Sequence, residues 1–180
     1  LLAFHSGLRL SEILSLQWNA VDLKSRIITV KHSENFTTKS KKERIVPINK
    51  KLFEVLSDRY PIEYEIDKIL GNDKKQSLPD YVFYRIKGVK LTIDFVSKKF
   101  KKSVRAAKLD DKIHFHTLRH SFASNLVQKG VSLYTVKELL GHSDFRVTQI
   151  YSHLQHSNLI EAVSKLDNSE NSKNWEVKNE

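Results

Sequence analysis

Between Thr92 and Gly141 the chain marks three successive helices with its own start and stop residues. Thr92 stands before "IDFVSKKFKKSVRAAK", where Ile93, Val96, Phe100, Val104 and Ala107 recur at helical spacing and lysines fill the other faces. "HTLRHSFASNLVQKG" puts Leu118, Phe122, Leu126 and Val127 on an inward face and stops at Gly130, and "SLYTVKELLG" starts at Ser132 and stops at Gly141. A last helix is expected from Ser143 or Asp144 through Tyr151, with Val147, Ile150, Tyr151 and Leu154 on its apolar stripe. Punctuation this dense commits the chain to a mainly α fold.

The ends of the chain are less regular. "LLAFHSGLRLSEILSLQW" predicts helix around an interruption at Gly7, with Ser6 or Ser11 as a start residue, and Asn49 caps a helix through Leu52, Val55 and Leu56 that must end before Pro61. Between them, "RIITVKHS", "NFTTK" and "ERIVPI" are short, β-branched and separated by polar turns, which predicts a small three-stranded antiparallel β-sheet. After Leu166 the sequence turns polar and aperiodic. Residues 1–166 are therefore expected to form one domain and 167–180 a tail, flexible or docked in trans on a neighbouring subunit through Trp175 and Val177.

Charge narrows the partner. The total is +10, yet from Lys165 to Glu180 three lysines face four acids, so residues 1–164 carry +11. A folded body this basic points to a polyanion, and nucleic acid leads. With no cysteine there is no disulfide framework or Cys-based zinc site, and no apolar run approaches the ~18 residues of a membrane span. A soluble, intracellular (cytoplasmic) protein without membrane contact is expected. The absence of methionine and the apolar first residues suggest that a longer protein continues upstream.

His116 and Arg119 are three apart at a helix start and share a side, so they can hold one ligand, although "HTLR" alone more often marks an ordinary helix start. His142 follows Gly141 at a junction, where a histidine can face a cleft or simply be a polar loop residue. Arg9 has Glu12 three residues on, close enough to orient its guanidinium or to form a surface ion pair of little worth. Lys39 lies in the basic turn "TTKSKKER" with Lys41, Lys42 and Arg44, a composition that also fits nonspecific contact with DNA phosphates. The histidines form no HExxH pattern and have no carboxylate cluster beside them, which disfavours a metal. Cationic donors without a metal suit a pentavalent phosphorus transition state, whose charge arginine can grip through two hydrogen bonds, with Tyr151 as nucleophile.

In chain order, "SGLRLSE", "TKSKKERIVPI", "HTLRHSFAS" and "LLGHSDFRVTQIYSH" resemble the box motifs of the tyrosine recombinases, the phage integrase family, over nearly all of residues 1–160. The resemblance implies that family's catalytic-domain fold and assigns roles by position. Arg9 and Arg119 match the two arginines that clamp the scissile phosphate, and Lys39 the hairpin lysine that protonates the leaving 5′ oxygen. Tyr151 matches the nucleophile, His116 the histidine of the HxxR box, and His142 the second His/Trp position that supports the phosphate. Glu12 matches the acid that steadies the first arginine. Lys41, Lys42 and Arg44 in the turn, with Lys98, Lys99, Lys101 and Lys102 on the basic helix, are expected to touch DNA.

A member of that family would be a site-specific recombinase that cleaves and rejoins double-stranded DNA by two transesterifications through a 3′-phosphotyrosine, with neither metal nor nucleotide cofactor. It would work as a homotetramer on DNA, helped by an N-terminal core-binding domain that is absent from this chain. Two alternatives share the basic surface: relaxation of one duplex in the manner of a type IB topoisomerase, and a noncatalytic DNA-binding module.

Overall fold

The computed structural model describes residues 1–31, 43–60, 81–85, 90–154 and 163. The expected break at Gly7 separates α1 (Leu2–Ser6) from α2 (Leu10–Leu14). Gly7 adopts φ +64°, and a Cβ there would lie 2.5 Å from Phe122 Cδ1 and 2.9 Å from Leu140 Cδ2. Gly7→Ala would meet both a backbone penalty and a clash with two core side chains. It is expected to destabilise the fold by about 2–4 kcal/mol, measured as a shifted urea midpoint at unchanged slope. Neither serine starts α2: the Ser6 hydroxyl donates back to the Leu2 carbonyl at 2.7 Å, while Glu12 accepts from the Arg9 amide at 2.7 Å.

The sheet is three-stranded and antiparallel, but its strands are β1 (Val21–Asp22), β2 (Ile27–Val30) and β3 (Arg44–Pro47), in that order. "NFTTK" lies outside the described residues; β2 pairs directly with β3, and the third strand is the two-residue β1 on the other side of β2, too short to show alternation. Val21 pairs with Ile28, Ile28 with Val46 and Val30 with Arg44. Ile28, Val30, Val46 and Ile48 are buried while Ile45 is exposed, the period of two that a sheet with one buried face requires. The expected helix follows as α3 (Lys50–Arg59), with Asn49 Oδ1 accepting from the Leu52 amide at 2.9 Å and Leu52 and Leu56 fully buried.

Thr92 caps α4 (Ile93–Ala106) through its hydroxyl, which accepts from the Phe95 amide. Only part of its stripe is used: Val104 is buried and Phe100 meets Phe115 edge-on, whereas Ile93 stands exposed and Ala107 lies outside the core. On α5 (Thr117–Gln128) the fully buried line is Arg119, Ala123 and Val127, each four apart, so the core face carries an arginine. Leu118, Phe122 and Leu126 flank that line half-buried. Ser132 and Gly141 bound α6 (Leu133–Leu140) as expected, with Gly141 at φ +66°.

The final helix does not reach the tyrosine. α7 spans only Arg146–Gln149, and Tyr151 lies in the turn before a 3₁₀ segment, Ser152–Leu154. The buried residues here are Thr148 and Tyr151, while Val147 and Ile150 are exposed, so only Tyr151 and the partly buried Leu154 of the expected stripe pack inward. Three β-branched residues in four positions weaken the helix, and burial of polar Thr148 rotates the segment away from its apolar pattern. Two cores result: one unites α1, α2, the sheet and α3, and the other joins α5 and α6 to Tyr151.

Candidate active site

Glu12 is the carboxylate around which the arginines assemble. Arg9 Nη1 donates to its Oε1 at 3.2 Å. From β3, Arg44 Nη1 and Nη2 donate to the two carboxylate oxygens at 3.0 and 2.7 Å, and Arg44 Nε donates to the Leu139 carbonyl at 3.1 Å. Gly141 permits this approach, since a Cβ there would lie 2.8 Å from Arg44 Cδ. Arg44, expected to touch DNA from its basic turn, is turned inward: its side chain is 8% exposed, and Nε, Nη1 and Nη2 all donate within the protein. Burial alone would raise the Glu12 pKa, but hydrogen bonds from Arg44, its charge and the neighbouring Arg9 outweigh that and hold the carboxyl below its ordinary value.

Arg119 is held by helix ends. Its Nη1 donates to the Gly7 carbonyl at 2.7 Å and its Nη2 to the Leu140 carbonyl at 2.8 Å, at the C-terminal ends of α1 and α6, where carbonyls lack intrahelical partners. Nη1 is 4.0 Å from Glu12 Oε2. Burial first, then the charge of Arg9, pushes the guanidinium pKa down to about 9 against the pull of Glu12, and the group remains cationic at neutral pH.

His142 Nδ1 lies 2.9 Å from the hydroxyl of fully buried Thr148. Burial, then Arg119, Arg9 and Arg44, pushes this histidine down to about 4, so it is neutral at pH 7. In the tautomer where Thr148 donates to Nδ1, the ring proton sits on Nε2 and can be offered to a ligand. Tyr151 is 5% exposed, and its hydroxyl lies 2.6 Å from His120 Nδ1. Burial raises the phenol pKa, with the Arg119 charge acting in the opposite sense. The His120 ring meets His116 edge-on at 4.9 Å, and burial followed by the charge of His120 lowers the His116 pKa.

Six of the seven residues singled out by the motifs thus converge: Arg9, Glu12, His116, Arg119, His142 and Tyr151. Lys39, with Lys41 and Lys42, lies outside the described residues. A cavity of about 470 Å³ borders the site, lined by Leu8, Phe115, His116, Arg119, Lys98 and Lys101. Lys101 also donates to the Asp111 and Ile113 carbonyls, Lys98 pairs with Asp94 on the surface, and Lys99 and Lys102 are exposed. Among the described residues no group of three or more His, Asp or Glu side chains could hold a metal ion, and no helix is long and apolar enough to cross a membrane.

Sequence reasoning missed His120, Thr148 and the inward role of Arg44. Two signals were present. Arg44, Val46 and Ile48 alternate on one strand face, and His120 is four residues beyond His116, hence on the same side of α5. For Thr148 there was none. Together the side chains place the Tyr151 hydroxyl among two arginines and three histidines whose pKa values are lowered, an arrangement suited to attack on an anionic centre whose charge grows in the transition state.

The model of the phage integrase family matches residues 1–158. The chain is 37% identical over 165 residues to tyrosine recombinase XerC of Thermodesulfovibrio yellowstonii, covering 91% of this chain and 52% of that protein. It spans about half the length of the curated relatives it matches. Among solved structures, the catalytic domain of bacteriophage HP1 integrase superposes with a TM-score of 0.61 at 28% identity, covering 96% of this chain and 82% of that one. XerH site-specific recombinase, solved bound to palindromic difH substrate in a post-cleavage complex, gives 0.63 at 29% identity, covering 92% of this chain and 44% of that one. On the motifs, the fold and these likenesses, the chain belongs to the phage integrase family of tyrosine recombinases.

Proposed function

We propose that this chain is the strand-transfer centre of a site-specific DNA recombinase, with Tyr151 as nucleophile. The observation that carries the proposal is the buried Tyr151 hydroxyl set beside His120 and within the field of Arg119, which itself shares Glu12 with Arg9. The Tyr151 oxygen attacks a phosphodiester, forming a 3′-phosphotyrosine and releasing a 5′ hydroxyl. A 5′ hydroxyl from a second duplex then attacks that ester and frees the tyrosine. Ester energy is conserved, so no nucleotide cofactor enters.

Arg9, whose side chain is 21% exposed, and the deeper Arg119 stabilise charge on the nonbridging oxygens, and His142 supports them from Nε2. Lys39 protonates the leaving 5′ oxygen. Exchange between two duplexes cuts four strands, and a catalyst with one nucleophile then needs four copies, which supports a tetramer on double-stranded DNA.

The test is covalent capture. Nicked duplexes with randomised arms, on which the released strand diffuses away, are incubated with the chain in EDTA, and adducts that survive detergent are collected and sequenced. A 3′-linked adduct on a limited set of sequences is expected, because the arginines already supply the charge stabilisation that a metal would provide. No adduct on any duplex, or one formed only when a divalent metal is restored, overturns the proposal.

A further inference from the structure

His120 has no part in the roles assigned above, yet it is the residue that touches the reacting atom. Its Nδ1 lies 2.6 Å from the Tyr151 hydroxyl, a short contact between one proton and two heavy atoms. The His120 ring is pinned on one side by His116, edge-on at 4.9 Å, and on the other by the Tyr151 ring, with centroids 6.0 Å apart. The position is therefore set by α5 on one side and by the turn that carries the tyrosine on the other. We propose that His120, through Nδ1, is the general base that takes the Tyr151 proton during strand cleavage and returns it during rejoining, a role that rests on the strand-transfer reading above.

The protons balance. As the Oη–P bond forms and the P–O5′ bond breaks, the phenol proton passes to Nδ1, giving an imidazolium that keeps its Nε2 proton, while the 5′ oxygen leaves with a proton from the acid. In rejoining, the incoming 5′ hydroxyl surrenders its proton to that acid as it attacks phosphorus, and the departing tyrosine oxygen recovers its own from His120.

Two further facts fit this role. Burial keeps the phenol protonated well into the alkaline range, so attack near neutral pH needs a base in contact. Burial, then the charges of His114 and Arg119, lowers the His120 pKa, so its ring is neutral and able to accept. The titratable and charged groups acting on His120 among the described residues are His114, His116 and Arg119 from its own stretch of chain and Tyr151 from the turn packed against it.

The experiment measures single-turnover cleavage of a captured duplex against pH for the wild-type chain, His120→Ala and His120→Asn, with folding checked by circular dichroism. Asparagine keeps an acceptor near Nδ1 but cannot carry the proton. Both variants are expected to cleave about 10²–10⁴-fold more slowly near neutral pH. The acid limb of the wild-type profile should follow His120, whereas in both variants it should move beyond about pH 10, where the phenol must ionise unaided. A ring-fluorinated tyrosine at position 151, more acidic than tyrosine, should recover part of the lost rate in the variants. Wild-type rate and profile in His120→Asn would reduce His120 to a positioning acceptor and overturn the proposal. So would slow variants whose profile stays in place, the mark of a structural role. If the wild-type chain forms no adduct, the strand-transfer proposal itself fails, an outcome distinct from both.

Discussion

Tyr151→Phe is expected to abolish the covalent protein–DNA adduct while leaving the chain folded and able to bind DNA. Phenylalanine keeps the ring that packs in the second core with Ala123, Val127, Val136 and Leu140. What disappears is one oxygen, and with it the hydrogen bond to His120. The stability cost of deleting one partner of a half-buried pair is about 1–3 kcal/mol, a shift in melting temperature rather than a loss of fold. The chemical cost is total, because the phosphotyrosine bond requires that oxygen. Of the other hydroxyls, Thr148 is itself buried and engaged with His142, Ser152 is exposed on the 3₁₀ segment with a side chain too short to reach where the phenol oxygen stands, and Tyr134 is exposed on the far side of α6 from the buried Val136 and Leu140. An adduct formed by Tyr151→Phe and mapped by proteolysis to another hydroxyl would show that the turn after α7 does not carry the nucleophile. Unchanged binding of duplex DNA by this variant, measured at several salt concentrations, would confirm that the basic surface and the chemistry are separable.

The helices with local caps were legible in the sequence because their information is local: Asn49, Thr92 and Ser132 each accept from an amide three residues on, and Gly141 takes the left-handed conformation its position demanded. The set of motif residues was also legible, since its four boxes fall in order along the chain. What the sequence hid depends on partners far away in the chain. Arg44 reads as one more cation in a basic turn until β3 pairs with β2 and turns it toward Glu12, 32 residues earlier. Tyr151 was placed on a long helix because Val147, Ile150 and Leu154 have the right spacing. The real segment instead buries Thr148, whose bond to His142 no periodicity can reveal. β1, two residues long, offers no alternation to detect. Local chemistry therefore named the set of side chains, and tertiary contacts decided which of its cations stay accessible and which hold the others in place.

Arg44→Ala separates these two kinds of cation and is expected to cost about 3–5 kcal/mol of stability, because it strands a carboxylate whose side chain is 1% exposed. For a domain of this size that corresponds to a fall in melting temperature of roughly 6–20 °C. Glu12 would keep only Arg9 and the more distant Arg119, 4.0 Å away, and the Leu139 carbonyl would lose its donor. The pH dependence gives the deficit its signature. In the wild-type chain the Glu12 pKa is lowered, so its stabilising contribution is fully present above the unfolded carboxyl value of about 4.3 and is lost as pH falls through the lower folded value. Without Arg44 only the Arg9 contacts oppose desolvation, and that pKa rises relative to wild type. The variant should therefore be most deficient near neutral pH and approach wild type as Glu12 takes up a proton in acid. Adding Glu12→Gln should restore much of the lost stability by removing the stranded charge, but not cleavage, since Arg9 would still lack the carboxylate that orients it. The opposite pattern would be a fully stable Arg44→Ala that merely binds DNA less tightly, with the slope of log K against log salt reduced by about 0.9, the mark of one lost phosphate contact. That result would return Arg44 to the DNA surface and leave Glu12 in need of another partner.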